Sequence, residues 1–191
     1  MRVLSAEEEG RLAYAGAVAQ ARNLPARVAV CDVGGGSTEV VVGSPAGIEY
    51  CRSLEVGSLR LSRRVLDSDP PGRKAVAVAR AEIEARFDGL SAPVAEAALA
   101  TGGSARSLRK LTGERLLGEQ ELAAAVKAAA RRTSSQIARE TGLDPIRART
   151  LLAGALILAE TQRRLGLPLE VARGGLREGA AHELLAQRAA A

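Results

Sequence analysis

The sequence predicts a layered α/β fold, in which helices cover the two faces of one mixed sheet. Three strand-like apolar runs follow one another between residues 26 and 56 with short turns between them, which is typical of an antiparallel meander. After residue 72, strand-like runs alternate with segments whose apolar residues recur at helical spacing. Sequential strands followed by alternating helices and strands indicate this layered architecture.

The composition favours a compact unit with an aliphatic core. The length of 191 residues suits one or two domains, and hydrophobic residues make up 47% but aromatic residues only 2%. The longest apolar run, near Leu151 to Ala159, is too short to span a bilayer, and the N-terminus lacks a signal-peptide pattern. Cys31 and Cys51 lie in apolar runs, which favours buried thiols in a reducing cytoplasm.

The charge balance indicates a polyanionic ligand more readily than nucleic acid. The net charge is +5, and arginine far outnumbers lysine, so that nucleotides, nucleic acids and acidic polymers are all compatible. There is no aromatic stacking platform of the kind that single strands use, and we expect no specific nucleic-acid binding. The only histidine, His182, is expected to be a surface or packing residue, because a zinc site needs several ligands.

Local signals give the elements in order. Ser5 and Glu8 have the spacing of a capping box, and the helix that they open continues to about Arg22. Asp144 followed by Pro145 is the start signal of a helix that runs to about residue 165. The other predicted elements are two strands within 26–43, strands at 48–56, 96–100 and 168–172, and helices at 59–66 (capped by Ser58), 73–87, 105–111, 119 to about 140, and after the glycines at 174–179.

The most informative stretch joins the first two strands. An apolar run ends at Asp32, the chain turns through Gly34, Gly35 and Gly36, and Ser37 and Thr38 precede the next apolar run. Three consecutive glycines can direct several N–H groups at one anion, and a carboxylate at the strand end can hold a divalent cation beside it. We therefore predict a phosphate-binding loop, with a plain glycine-rich hairpin as the alternative. It is not a Walker loop, because GxxxxGK[ST] is absent.

Three further features are weaker candidates. Glu9 shares a helix face with small apolar residues and can border a cleft, although acids are favoured in any first helical turn. Arg60 follows a glycine near a helix start and is either a phosphate contact or a solvated side chain. Gly102, Gly103 and Ser104 lie between a strand and a helix, where they either contact a nucleotide or phosphate or form an ordinary connection.

Several segments together resemble one known family. In their order and spacing they are similar to the second domain of the core of the exopolyphosphatase / guanosine pentaphosphate phosphohydrolase family, in the sugar kinase–actin–heat-shock-chaperone superfold. The glycine loop alone is shared more loosely across that superfold, whereas its combination with the next and last segments is more specific. The segments are VLSAEEEGRLAYAGA (3–17), DVGGGSTEVVVG (32–43), SLEVGSLRLS (53–62), ATGGSARSL (100–108) and GGLREGAAHELL (174–185).

The resemblance implies a metal-dependent hydrolase that removes terminal phosphate from inorganic polyphosphate or guanosine pentaphosphate. Glu9 matches the family's proposed catalytic base, although Gly10 follows it where the family commonly has alanine. The glycine loop would bind phosphate, while Asp32 and Glu39 would serve Mg²⁺ or another divalent cation. The fold implied is a single ribonuclease-H-like domain over residues 1–191, with three antiparallel strands leading into parallel ones and helices on both faces.

The family's other phosphate-binding hairpin lies before the segment that matches here. The resemblance therefore implies that a first domain, in cis or in trans, completes the site, and that the isolated chain hydrolyses polyphosphate weakly or not at all. Without that domain, we expect an exposed apolar face near Glu9 to Gln20 and the glycine loop, through which a homodimer can form. Two other functions stay open: a non-catalytic module that binds polyphosphate or a phosphorylated nucleotide, and, less favoured by the motifs, an ATPase of the same superfold.

Overall fold

The computed structural model describes residues 4–189, so Val3, which begins the first matching segment, lies outside the described part. Within it the chain forms six strands and eight helices. The strands are β1 (Val28–Val33), β2 (Thr38–Ser44), β3 (Gly47–Leu54), β4 (Ala97–Thr101), β5 (Leu116–Leu117) and β6 (Leu169–Val171). The helices are α1 (Ala6–Ala19), α2 (Ser58–Arg64), α3 (Arg73–Arg86), α4 (Gly102–Thr112), α5 (Glu119–Arg131), α6 (Ser134–Thr141), α7 (Pro145–Leu165) and α8 (Leu176–Ala189).

The strands form one mixed sheet in the order β3-β2-β1-β4-β6-β5. The first three strands are antiparallel neighbours, whereas β1, β4 and β6 run parallel to one another. The two-residue strand β5 ends the sheet on its far side, antiparallel to β6. The predicted α/β fold, with three antiparallel strands leading into parallel ones, is therefore confirmed.

The two faces of the sheet bury separate cores, because successive strand residues point to opposite sides. Val28 and Val30 of β1 belong to a small cluster with Ala17 of α1. Cys31 belongs to the larger cluster on the opposite face, which includes Leu156 and most of the other apolar residues of α7. Helices therefore lie on both faces, and α1 is positioned on the face that carries Asp32.

Glycines allow α1 and α8 to pack backbone against backbone. A Cβ atom at Gly16 would overlap the carbonyl oxygen of Gly175, and one at Gly179 would overlap that of Leu12. Gly174 is equally close to the carbonyl oxygen of Gly16. The glycines of the GGLREG segment therefore have a packing role, since only residues without a side chain permit this approach.

Three element boundaries differ from the prediction. The helix expected from 119 to about 140 is two helices, because Arg132 is extended and Thr133 accepts a hydrogen bond from the N–H of Gln136 as the N-cap of α6. Helix α4 begins at Gly102, before the predicted start at 105. Helix α2 has Gly57 as its N-cap, and the Ser58 hydroxyl donates to the carbonyl of Gly34 instead of capping the helix.

The apolar surface of α1 is buried, which corrects the expectation of an exposed face along Glu9–Gln20. Leu12, Ala13 and Ala17 are at most 5% exposed, because the sheet lies on one side of α1 and α8 on the other. The glycine loop beside it, at Gly35 and Gly36, is exposed as expected, and the homodimer stays a prediction. His182 is exposed on α8, as expected.

Both cysteines are free thiols. Cys31 is fully buried, and that burial raises the pKa of its thiol to about 12, so it stays protonated and chemically inert at neutral pH. Among the described residues, no helix combines the length and the apolar character needed to cross a membrane.

Candidate active site

A row of polar side chains crosses four neighbouring strands. Asp32 of β1 is directly opposite Glu39 of β2 and Thr101 of β4, and Glu39 is in turn opposite Ser53 of β3. Residues opposite each other on neighbouring strands project to the same face of a sheet. The row therefore lies on the α1 face, at the sheet edge where the glycine loop joins β1 to β2.

The first turn of α2 holds the glycine loop by its carbonyl groups. The N–H groups of Leu59 and Arg60 donate to the carbonyl of Gly35 at 3.0 and 2.9 Å, and the N–H of Ser58 donates to that of Gly34 at 2.9 Å. The loop is closed by a bond of 3.0 Å from the N–H of Gly34 to the carbonyl of Ser37. The loop conformation is therefore fixed by the protein before any ligand is bound.

The N–H groups of the loop are available to a ligand. Within residues 4–189, the N–H groups of Gly35 and Gly36 donate to no backbone or side-chain acceptor, and both glycines are exposed. Gly57 packs directly beneath them, since a Cβ there would lie 2.5 Å from the backbone nitrogen of Gly36. The arrangement satisfies the loop carbonyls and leaves the donors facing solvent, as an anion site requires.

The second glycine-rich turn contacts the first site. Gly102 has a φ of +85°, and a Cβ on it would overlap the carboxylate of Asp32. The hydroxyl of Ser104 donates to the carbonyl of Val33 at 3.0 Å, and so ties the start of α4 to the end of β1. Gly103 packs against the guanidinium of Arg147. The two candidate sites of the sequence therefore form one continuous surface.

Burial and neighbouring negative charge dominate the electrostatics of the row. Burial, the charge of Glu39 and, to a smaller extent, that of Glu9 raise the pKa of Asp32 to about 6, while Arg106 acts in the opposite direction. Burial also raises the pKa of Glu39, although hydrogen bonds from the hydroxyls of Ser53 (2.8 Å) and Ser37 reduce that increase. Three carboxylates thus lie within electrostatic range of one another.

Glu9 reaches this row from α1. It is half-buried in the first turns of the helix, and a Cβ on the next residue, Gly10, would lie 3.7 Å from the Cβ of Glu39. Both interpretations that the sequence left open for Glu9, an acid of the first helical turn and a residue that borders the site, therefore hold together. It belongs to the acidic first turn of α1, and its charge also acts on both Asp32 and Glu39.

The remaining predicted contacts differ in how accessible they are. Arg60 is exposed, and its Nη2 lies 3.9 Å from the position of a Cβ on Gly36, beside the loop. The Thr38 side chain is fully buried, and its hydroxyl donates to the carbonyl of Val56 at 2.6 Å. Thr38 is therefore not accessible to a ligand: its hydroxyl joins β2 to the segment after β3, and the residue pairs with β1 on one side and β3 on the other. The predicted phosphate contact at Thr38 is thus wrong for its side chain.

Sequence reasoning overlooked three members of the site. Arg106 lies one helical turn after Gly102 and acts on Asp32 from α4. Ser53 and Thr101 join the row only through strand pairing. The spacing between Gly102 and Arg106 was a usable signal, because residues four apart share a helix face. The two hydroxyl residues gave no local signal, since their position depends on the register of the sheet.

The residues present fit a divalent cation that is shared with a phosphate ligand. Asp32 and Glu39 supply carboxylate oxygens from directly opposite strand positions, and Mg²⁺ is typically held by one or two carboxylates together with substrate phosphates. No group of three or more acidic, histidine or cysteine side chains within residues 4–189 is arranged to hold a metal by itself. Burial and, after it, the negative charge of Glu39 raise the pKa of Asp32, and a bound cation would favour its ionised form.

Comparison with known proteins identifies relatives along almost the whole chain. A model of the Ppx/GppA phosphatase family matches residues 1–188. The chain is 33% identical over 195 residues to Exopolyphosphatase 1 of Mycobacterium tuberculosis, covering 94% of this chain and 57% of that protein. It is 37% identical over 86 residues to Exopolyphosphatase 2 of the same organism, covering 45% of this chain and 27% of that protein. The chain therefore spans little more than half of Exopolyphosphatase 1.

Solved structures share the fold. A member of the Ppx/GppA family from Aquifex aeolicus superimposes with a TM-score of 0.86 at 26% identity, covering 97% of this chain and 65% of that one. An exopolyphosphatase from Cytophaga hutchinsonii, 19% identical, superimposes with a TM-score of 0.85 over 97% of this chain and 65% of that one, which shows the common fold. From the family match and the sequence relatives, we conclude that this chain belongs to the Ppx/GppA phosphatase family.

Proposed function

We propose that this chain contributes to an exopolyphosphatase site, which removes the terminal phosphate of inorganic polyphosphate by hydrolysis. The observation that carries the proposal is the proximity of three carboxylates, those of Glu9, Asp32 and Glu39, to a glycine loop with free N–H groups. Relatives named exopolyphosphatase support the same substrate class. Because the chain spans 57% of Exopolyphosphatase 1, the activity of that whole protein is proposed here and not assumed.

The glycine loop would bind the terminal phosphate. The N–H groups of Gly35 and Gly36 would donate to its oxygens, and the hydrogen bonds from α2 keep the loop in place without a ligand. Donors that are fixed in advance stabilise a transition state without a reorganisation cost. Arg60 beside Gly36 and Arg106 near Asp32 would add positive charge, which phosphoryl transfer requires around the equatorial oxygens.

Glu9 would orient the attacking water and accept its proton. The water oxygen forms a bond to the terminal phosphorus, the bond to the bridging oxygen breaks, and the shortened polyphosphate leaves with that oxygen. Asp32 and Glu39 would hold Mg²⁺, which supplies charge neutralisation for the phosphate oxygens when it is bound. Ser53 would keep the Glu39 carboxylate in position through its 2.8 Å hydrogen bond.

We further propose that another domain completes the site, in cis or in trans. The polar row and the glycine loop occupy one edge of a single sheet, and Gly35 and Gly36 are exposed there. In-line phosphoryl transfer needs the substrate to be clamped and shielded from bulk water, and one exposed edge supplies only part of such a clamp. We therefore expect the isolated chain to hydrolyse polyphosphate slowly.

Phosphate release from polyphosphate with Mg²⁺ tests the proposal. The variants are Glu9→Gln and, as a matched control on the same helix, Glu7→Gln, whose side chain is exposed. We expect slow release in the wild type and in Glu7→Gln, and a loss of about 100-fold or more in Glu9→Gln, because the water then lacks its general base. Equal rates in all three proteins would contradict the role of Glu9. Fast release by the isolated chain would contradict the need for another domain.

A non-catalytic binding module is the second candidate. The observation that favours it is that the glycine loop is complete within this chain, since all of the bonds that hold it come from residues 34–60. Polyphosphate or guanosine pentaphosphate would then bind without turnover. Calorimetry should show binding that is lost in Gly35→Val, together with no phosphate release under any condition.

We also propose a cytoplasmic location, with which the free thiols of Cys31 and Cys51 are compatible.

A further inference from the structure

A second polar cavity lies where α1 ends beside strands β5 and β6. Its volume is about 300 Å³, which is at the small end of the range for ligand pockets. Arginine dominates its lining, which consists of Gln20, Ala21, Arg22, Arg115, Glu170 and Arg173. None of these residues belongs to the site described above.

The cavity carries an excess of positive charge. Arg115 pairs with Glu170, with an Nη2–Oε1 distance of 2.9 Å. Within residues 4–189, Arg22 and Arg173 form no ion pair with a carboxylate, and both are exposed. Three guanidinium groups and one carboxylate therefore leave a formal charge of two positive units around a concave surface. Like charges gathered in a concavity favour a counter-ion, and guanidinium groups match phosphate oxygens in geometry.

Backbone hydrogen bonds anchor two of the three arginines to the sheet. The backbone carbonyl of Arg115 accepts a hydrogen bond of 2.8 Å from the N–H of Val171. Arg173 lies between Ala172, whose N–H donates to Ala100 at 2.9 Å, and Gly174, whose carbonyl accepts from Thr101 at 3.0 Å. Arg115 and Arg173 thus project from backbone that is anchored to the sheet, which lowers the entropic cost of binding an anion between them.

The cavity lies at the same sheet edge as the polar row. β1, β4 and β6 are parallel, so Asp32, Thr101 and the residues that follow Val171 all lie at their C-terminal ends. Thr101 is directly opposite Asp32, and its hydroxyl binds the residue after Arg173. Two strand spacings, about 10 Å in all, separate β1 from β6 along this edge.

We propose that Arg22, Arg115 and Arg173 form a subsite for internal phosphates of an inorganic polyphosphate chain whose terminal phosphate occupies the glycine loop. The choice of polyphosphate rests on the proposed function, while the anion class follows from the cavity itself. A polymer with one negative charge or more on each phosphate can span both positions, which a single orthophosphate cannot do. Occupying two linked positions raises the apparent affinity for long chains above that for short ones.

Titration calorimetry with three phosphate ligands tests this subsite. The ligands are orthophosphate, tripolyphosphate and a polyphosphate of several tens of units, each with the full chain at fixed salt. The test variant is Arg22→Ala/Arg173→Ala, which leaves the Arg115–Glu170 pair intact. The control is Arg131→Ala/Arg139→Ala, which removes two exposed arginines of α5 and α6 that, within residues 4–189, form no ion pair.

We expect the test variant to bind the long polyphosphate at least 10-fold more weakly than the wild type, while its affinity for tripolyphosphate changes less than 2-fold. The control should match the wild type with all three ligands. Equal losses in the test and control variants would overturn the proposal, because charge alone would then explain them. A matching loss with orthophosphate would also overturn it, since the cavity would then be a separate site for free phosphate. No loss with any ligand would do the same.

The same series in a Gly35→Val background separates this inference from the proposed function. If the glycine loop binds the chain end, Gly35→Val lowers the affinity for all three ligands. Adding the double arginine substitution then lowers the affinity for the long polyphosphate further. A second outcome is that phosphate release is absent and Gly35→Val has no effect, while the arginine variant still lowers the affinity for the long polyphosphate. The proposed function then fails and the arginine subsite stands. If only Gly35→Val has an effect, the subsite fails and the function stands.

Discussion

Two glycine-rich regions of this chain look alike in sequence and differ in what their glycines do. In the loop at Gly34–Gly36, the carbonyl groups are bound by α2, while the N–H groups of Gly35 and Gly36 face solvent. Between α1 and α8, the glycines lie against the backbone of the other helix, and Gly16, Gly175 and Gly179 are buried. A glycine motif is therefore evidence of a close approach, and only the fold decides whether a ligand or another helix makes that approach.

The largest expected effect is on stability at the helix contact. Gly16→Ala should lower the free energy of unfolding by about 3 kcal/mol, because the new methyl group overlaps the carbonyl of Gly175 in a packed interface. Gly35→Ala should cost less than about 1 kcal/mol, since its Cβ would meet only the Leu59 Cβ, at 3.4 Å. Urea denaturation measures both. A larger loss in Gly35→Ala than in Gly16→Ala would reverse the roles assigned to the two regions.

The next-largest expected effect is a pH-dependent loss of stability caused by the buried carboxylate of Asp32. Because the pKa of Asp32 is raised to about 6 in the folded chain, the folded state keeps a proton that the unfolded state releases above about pH 4. The free energy of unfolding therefore falls as the pH rises from about 4 to 6, and Asp32 lowers it no further above that interval. Without divalent cation, Asp32→Asn should be more stable than the wild type at pH 8, by up to about 3 kcal/mol.

That difference should disappear below pH 4, where Asp32 is protonated in both states. Thermal denaturation at pH 3.5 and pH 8, in a chelating buffer, measures it, and Asp67→Asn, at an exposed position, is the control. A wild type that is more stable than Asp32→Asn at pH 8 would mean that the carboxylate has a compensating partner in the fold.

A smaller effect tests the buried hydroxyl at the end of the loop. Thr38→Val removes the 2.6 Å hydrogen bond to the carbonyl of Val56 and should cost about 1 kcal/mol or somewhat more, because the carbonyl loses a buried donor. Affinity for tripolyphosphate should change less than 2-fold, since the hydroxyl faces away from the ligand. Calorimetry together with urea denaturation separates the two results. A large loss of affinity at unchanged stability would show that the Thr38 hydroxyl is a ligand contact.

The smallest effect is electrostatic. Arg106→Ala should raise the pKa of Asp32 further, by a fraction of a pH unit, because a cation that favours the charged carboxylate is removed. A titration of the Asp32 side-chain carbon by NMR measures the change, and Arg109→Ala, an exposed arginine on the same helix, is the control. An unchanged titration in Arg106→Ala would place Arg106 outside the site.

Much of the fold was predictable, because its signals are local. The capping box at Ser5 and Glu8, the Asp144–Pro145 start of α7 and the apolar strands all formed as the sequence indicated. The break at Arg132 was not predicted, since the apolar stripe continues through Thr133 while the capping preference of that residue ends the helix. Strand β5 has two residues, too few for any periodic pattern.

The site was predictable only in part. Asp32 and the glycine loop stand out locally, and Glu9 was identified through the family resemblance. The pairing of Asp32 with Glu39 needed the turn length and register of β1 and β2. The contact with Gly102 needed the parallel pairing of β1 and β4, which are separated in the sequence by β2, β3, α2 and α3. Arg106 could have been found from its spacing to Gly102 once that contact was known, whereas the arginine cavity depends on long-range pairings that leave no local trace in the sequence.

The most direct test of the contrast between the two glycine regions follows backbone amide resonances while tripolyphosphate and Mg²⁺ are added. The free N–H groups of Gly35 and Gly36 predict large, saturating shifts for those two resonances, with Gly16, Gly175 and Gly179 unchanged. Saturating shifts at the three helix glycines, with Gly35 and Gly36 unchanged, would show that the phosphate-binding site has been placed in the wrong region.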